Sequence, residues 1–108
     1  MELNLALVSG RLAVPPDLEY LPDGSQRARL LVCVRSERRR RFDVLPVTVP
    51  AEIHSQALSM ATGGTKVWVA GQLMRRCSPN PWEPPGRIEL IAVALRFPDL
   101  EDTRKPIR

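Results

Sequence analysis

Cysteine and histidine are scarce in this chain of 108 residues, long apolar runs are absent, and each shortage closes a line of explanation. Two cysteines, Cys33 and Cys77, cannot build the disulfide framework of a small secreted domain and have no metal-ligand spacing, so both read as reduced thiols. The lone histidine, His54, has no carboxylate, cysteine or nucleophile placed by sequence to work with it. Ser9 and Ser36 lack an elbow or lysine motif, and there is no Walker loop, dinucleotide fingerprint or metal-ligand pair. No catalysis, cofactor, metal or small-molecule substrate is expected. No stretch approaches the roughly 18 apolar residues of a membrane span, and Met1–Val8 carries no basic leader, so a cytoplasmic protein without a membrane partner is expected. Internal repeats and low-complexity tracts are missing as well.

What is present is positive charge laid on a strand pattern. In the segment from Arg27 to Arg35, Ala28, Leu30, Val32 and Val34 point one way, and Arg27, Arg29, Leu31, Cys33 and Arg35 point the other. One face suits a core while the other presents guanidiniums in a row. The charge continues through Arg38, Arg39, Arg40 and Arg41. Between Arg27 and Arg41, seven arginines stand against one acid, Glu37, a local +6 that exceeds the +4 of the whole chain. A field of that kind suits a polyanion, with nucleic acid the first candidate.

The rest of the chain arranges itself around this segment. Leu3, Leu5 and Leu7 alternate with Asn4, Ala6 and Val8 into a first strand bent at Gly10, which Pro15-Pro16 stops. A loop then leads to the turn Leu21–Ser25 and the basic second strand. Phe42–Val49 reads as a third strand, with Pro46 marking an edge or a bulge. Pro50-Ala51-Glu52-Ile53 opens a helix with the apolar stripe Ile53, Ala57, Leu58 and Ala61, ended by Gly63-Gly64. Lys66–Arg76 is the clearest strand, with Val67, Val69 and Leu73 on one face and Gly71 a candidate bulge. Residues 77–86 hold four prolines and read as a loop. Ile88–Phe97 is the last strand, with Ile91, Val93, Leu95 and Phe97 set against Ile88 and Leu90, and Pro98 closes the folded region. Three strands, one short helix and two strands is the order of an all-β OB-fold, a five-stranded Greek-key barrel with its helix between strands three and four. Residues 1–98 are expected to form this domain and residues 99–108 a flexible tail.

Four segments carry a family resemblance: Leu5–Leu12 (LALVSGRL), Asp17–Ser25 (DLEYLPDGS), Ala28–Val34 (ARLLVCV) and above all Lys66–Arg76 (KVWVAGQLMRR). In this order and spacing they resemble bacterial single-stranded-DNA-binding proteins, over roughly residues 3–97. The resemblance implies an OB-fold that binds single strands without sequence preference, as a homo-oligomer. A tetramer is usual in that family, and a dimer is expected if the chain is closer to the short primosomal protein of the PriB type. It also implies work at the nucleoid in DNA replication, repair or recombination. The chain departs from the family pattern where bases are stacked on aromatics. Those places fall here on Arg38–Arg41, on Phe42, near Val47, and near Cys77 and Ser78. The family's acidic tip is replaced by a basic ending, Thr103–Arg108, so the resemblance is to a short form without that tail.

The expected contacts are accordingly arginine-rich. Arginine pairs with phosphate and stacks on bases, which offsets part of the missing aromatic surface. Arg27, Arg29 and Arg35 are candidate backbone contacts, against the alternative of a merely solvated face. Arg38, Arg39, Arg40 and Arg41 are candidates in a hairpin loop, against a solubilising run. Trp68, Trp82 and Phe42 are the candidate stacking platforms, against burial in an oligomer interface, pinning of a loop, and a place in the core respectively. Lys66, Arg75, Arg76 and Arg87 flank the loop between strands four and five as second-rank phosphate contacts. The partner is single-stranded DNA or RNA. An OB-fold module for an acidic protein partner is the alternative of another class.

Overall fold

The computed structural model describes residues 2–38, 41–53, 56–75, 79–82, 84 and 86–101. Six strands run in the order β1 (Ala6–Leu12), β2 (Asp17–Tyr20), β3 (Gln26–Ser36), β4 (Arg41–Val49), β5 (Lys66–Arg75) and β6 (Ile88–Arg96). Two helical turns, α1 (Ala57–Met60) and α2 (Pro98–Glu101), follow β4 and β6. The sheet order is β1-β5-β6-β4-β3-β2, and an additional β1–β3 pairing closes β1, β5, β6, β4 and β3 into a barrel. The chain is therefore an all-β OB-fold, with its short helix α1 between the third and fourth barrel strands.

Closure depends on β3 having two neighbours on one side. Its C-terminal half meets β1 through Arg11↔Cys33 and Leu12↔Val32, while its N-terminal half meets β2 from Asp17↔Arg29 to Tyr20↔Gln26. The segment expected as a loop thus contains the strand β2. Asp-Leu-Glu-Tyr is too short for its alternation to show, and the strand exists because β3 offers it an edge. Gly10 is needed where β1 crosses β3, since a Cβ there would lie 2.2 Å from the Cys33 carbonyl oxygen.

The inward row of β3 supplies Ala28, Leu30 and Val32 to the core, as the period of two predicts. Around them pack Leu12, Val47, Val49, Val67, Val69, Leu90 and Phe97, all nearly solvent-free. Burying each such side chain is worth about 1.5–3 kcal/mol relative to leaving it exposed. No charged or polar side chain is buried among the described residues.

Two expectations of phase need correction, and one bulge accounts for the first. In β6 the buried residues are Leu90, Ala92 and Leu95, followed by Phe97 just beyond the strand, not Ile91 and Val93. Ala70 pairs with Ala94 and Gly71 with Ala92, so Val93 is the extra residue and its side chain is turned to solvent. Gly71 marks the site as anticipated, but the phase shift is carried by its partner strand. Leu73, expected inward, lies exposed near the end of β5, where the Asn4 side chain takes over the pairing. Asn4 Nδ2 donates to the Leu73 carbonyl at 2.7 Å and the Leu73 amide donates back to Oδ1 at 2.9 Å.

The helix is shorter than its stripe suggests. Pro50 and Ile53 close a turn (Ile53 amide to Pro50 carbonyl, 2.9 Å), the helix proper is one turn, and Ala61 is already extended. His54 and Ser55 lie outside the described residues. Ala57 and Leu58 are enough to cap the barrel end, and a single turn is held by that packing and not by propensity. After β6 the chain continues into α2, whose Leu100 packs against the core.

Candidate nucleic-acid interface

The outward row of β3 leads from one hollow of the barrel surface into another. The first is a trough of about 550 Å³ between the outer face of β1 and β5 and the far half of the β3–β4 hairpin. Arg11, Lys66 and Trp68 line one side of it, and Cys33, Arg35 and Phe42 the other. Strand register explains the grouping. Arg11 stands opposite Lys66 on β5 and opposite Cys33 on β3, Trp68 stands opposite Ser9, and Phe42 stands opposite Arg35. The small Ser9 leaves the Trp68 ring 49% exposed, and Phe42 is 65% exposed. Arg11 Nη1 donates to the Gly64 carbonyl at 2.9 Å, which fixes its guanidinium at the rim. Three cations around two open rings can hold phosphates while a base lies on an aromatic face.

The second hollow is a cleft of about 370 Å³ framed by Val14 and Pro15 after β1, the middle of β3 and β4, and the start of β6. Arg29 and Arg87 reach it, together with Asp17 and Glu89. Arg29 and Leu31 line the cleft, and the next outward positions of β3, Cys33 and Arg35, line the trough. Arg29 and Arg35 are six residues apart, so this row covers about 20 Å at about 3.3 Å per residue.

The arginines of the row are not equally free. Arg27 Nε and Nη2 both donate to Glu19 Oε1 on β2, at 3.1 and 2.5 Å. That hydrogen bond and the adjacent positive charge hold the Glu19 carboxyl below the usual glutamate range. Arg41 pairs with Asp43 at 3.5 Å. Arg29, Arg35, Lys66 and Arg87 make no ion pair among the described residues.

Of the residues expected from sequence, the structure brings Arg35, Phe42, Lys66 and Trp68 together in the trough and Arg29 and Arg87 in the cleft. Arg27 is on the same outward row but clamped, Arg38 is exposed in the hairpin turn, and Arg75 is exposed at the end of β5, lining neither hollow. Trp82 also stands apart. It is 91% exposed on a turn whose backbone is tied by its own amide to Asn80 Oδ1 at 3.1 Å, so its ring does not pin the loop to the barrel. Arg39, Arg40 and Arg76 lie outside the described residues. Arg11 was not anticipated, although it is the basic residue of the Gly-Arg/Asn-Leu opening that carries the family resemblance. Its neighbours Lys66 and Cys33 are brought to it only by strand pairing. Among the described residues no three histidine, cysteine or acidic side chains gather to hold a metal, and no helix is long and apolar enough to cross a membrane.

A barrel of this kind with a basic, ring-lined outer face defines the chain as an OB-fold protein of the sort that includes single-strand binders. Comparison with solved structures narrows this. The wild-type single-stranded DNA binding protein from Thermus aquaticus superposes with a TM-score of 0.66 at 28% identity, over 98% of this chain and 43% of that one. The chain thus spans less than half the length of that relative. The single-stranded DNA binding protein (SSB) of Plasmodium falciparum, solved in complex with ssDNA, matches at TM-score 0.68 and 21% identity over 90% of this chain and 96% of that one. The N-terminal domain of PriB from Thermoanaerobacter tencongensis, solved as a dimer, matches at 0.62 and 17% over 86% and 93%. The last two likenesses establish the fold. No protein-family model and no curated protein matches the chain.

Proposed function

We propose that this protein binds single-stranded DNA without sequence preference, along the track from the Arg29–Arg87 cleft to the trough of Arg11, Arg35, Lys66, Trp68 and Phe42. The observation that carries this is the convergence of three cations on two half-open rings in one trough, on a fold shared with single-stranded-DNA-binding proteins. Guanidiniums track the sugar-phosphate chain, and Trp68 and Phe42 take bases on their faces. Arg38, Arg39, Arg40 and Arg41 extend the field at the hairpin, where an incoming strand is drawn in, while Arg75, Arg76 and Trp82 contact flanking nucleotides. The role is binding and protection of exposed strands in replication, repair or recombination, at the nucleoid, and not catalysis.

Leu3, Leu5 and Leu7 support a second part of the proposal, self-association. All three leucines are exposed, because the even-numbered residues Ala6 and Val8 are the ones that face the core. Exposed leucines in a row, next to Leu73 and Met74 at the end of β5, suit a second copy of the chain better than water.

Titration of fluorescently labelled oligo-dT with the wild type and with an R11A/R35A/K66A variant tests the binding site. The variant is expected to lose at least about tenfold in affinity while keeping its folded circular dichroism spectrum, three phosphate contacts having been removed. Equal affinity of variant and wild type contradicts the proposal.

A further inference from the structure

The cleft holds two carboxylates beside its two guanidiniums, and this mixture is a poor receptor for phosphate alone. Asp17 sits opposite Arg29 across the β2–β3 ladder, and Glu89 lines the cleft from β6. Thr48 Oγ1 donates to Glu89 Oε1 at 2.6 Å across the short parallel seam of β4 and β6, which orients the carboxylate and leaves Oε2 free of that bond. Val14, Pro15, Leu31 and Pro46 supply apolar walls. An apolar-walled cleft with one oriented carboxylate beside two guanidiniums has the character of a nucleobase pocket. Of the DNA bases, only guanine offers two adjacent N–H donors, N1 and N2, to a single carboxylate. Its O6 and N7 are acceptors suited to a guanidinium.

We propose that the Glu89–Arg29–Arg87 cleft is a guanine-selective pocket on an otherwise sequence-neutral track. Glu89 accepts from the N1–H and N2–H of the base, and one of the two arginines donates to O6 and N7. Thr48 acts as a positioning residue for Glu89. The inference rests on the single-strand-binding function proposed above and adds a preferred base to it.

The test is competition against labelled oligo-dT by three unlabelled strands: all-thymine, the same strand with one central dG, and the same strand with deoxyinosine there, which lacks the 2-amino group. The dG strand is expected to compete at least about fivefold better than all-thymine, the range of one good bidentate contact. The deoxyinosine strand gives up most of that gain. E89Q brings the dG advantage over all-thymine to about onefold, read as a ratio within the variant so that any change in its overall affinity cancels. Equal competition by dG and all-thymine strands, or a dG advantage that survives E89Q, overturns the pocket and leaves the proposed function standing. Failure of every strand to bind overturns the proposed function itself.

Discussion

Arg27 and Arg35 occupy the same row of one strand, yet their surroundings differ. Arg27 is held by Glu19 through two hydrogen bonds, whereas Arg35 faces the trough beside Phe42 and without an ion pair among the described residues. A guanidinium already answered by a carboxylate gives less to a phosphate than a free one. R35A is therefore expected to weaken oligo-dT binding several-fold more than R27A. Parallel titrations at one salt concentration check this, and an equal loss in the two variants would contradict it.

Among the elements, β3 was legible from sequence because its alternation runs unbroken over a long strand, from buried Ala28, Leu30 and Val32 to outward Arg29 and Arg35. The order of barrel strands and the intervening helix was legible for the same reason, together with the turn residues between them. Features that depend on a partner strand were not. β2 owes its existence to the edge of β3, the extra residue Val93 reveals itself only in the register against Ala70 and Gly71, and Arg11 joins the site only through its pairing with Lys66 and Cys33. The β2–β3 ladder has a pH signature of its own. The Glu19 carboxyl, held low by its hydrogen bond to Arg27 and by that residue's charge, has a folded pKa below the unfolded one. Its contribution is thus complete above the ordinary glutamate range and is lost only as pH falls through the lower, folded value. NMR titration should find Glu19 still ionised at a pH where an ordinary glutamate is half protonated. Titration of Glu19 in the ordinary range would contradict the clamp.

At the scale of the whole molecule, the outward row of β1 runs from exposed Leu7 to Ser9 and Arg11 of the trough, so an apolar patch adjoins the basic face. Leu3, Leu5 and Leu7 lie outside the core, and a patch of that kind favours self-association. Size-exclusion chromatography with light scattering at micromolar concentration is expected to show a dimer or tetramer for the wild type and a shift to monomer for L5E/L7E. A wild type that is monomeric at micromolar concentration would contradict the oligomer. The basic face carries the central claim, that guanidiniums and Lys66 hold the strand by its phosphates. Its most direct test is the salt dependence of oligo-dT affinity in the wild type. If Arg11, Arg35 and Lys66 each neutralise one phosphate, a plot of log affinity against log salt falls with a slope of about −2 or steeper, at about −0.7 per single-strand contact. A slope near zero would contradict the account.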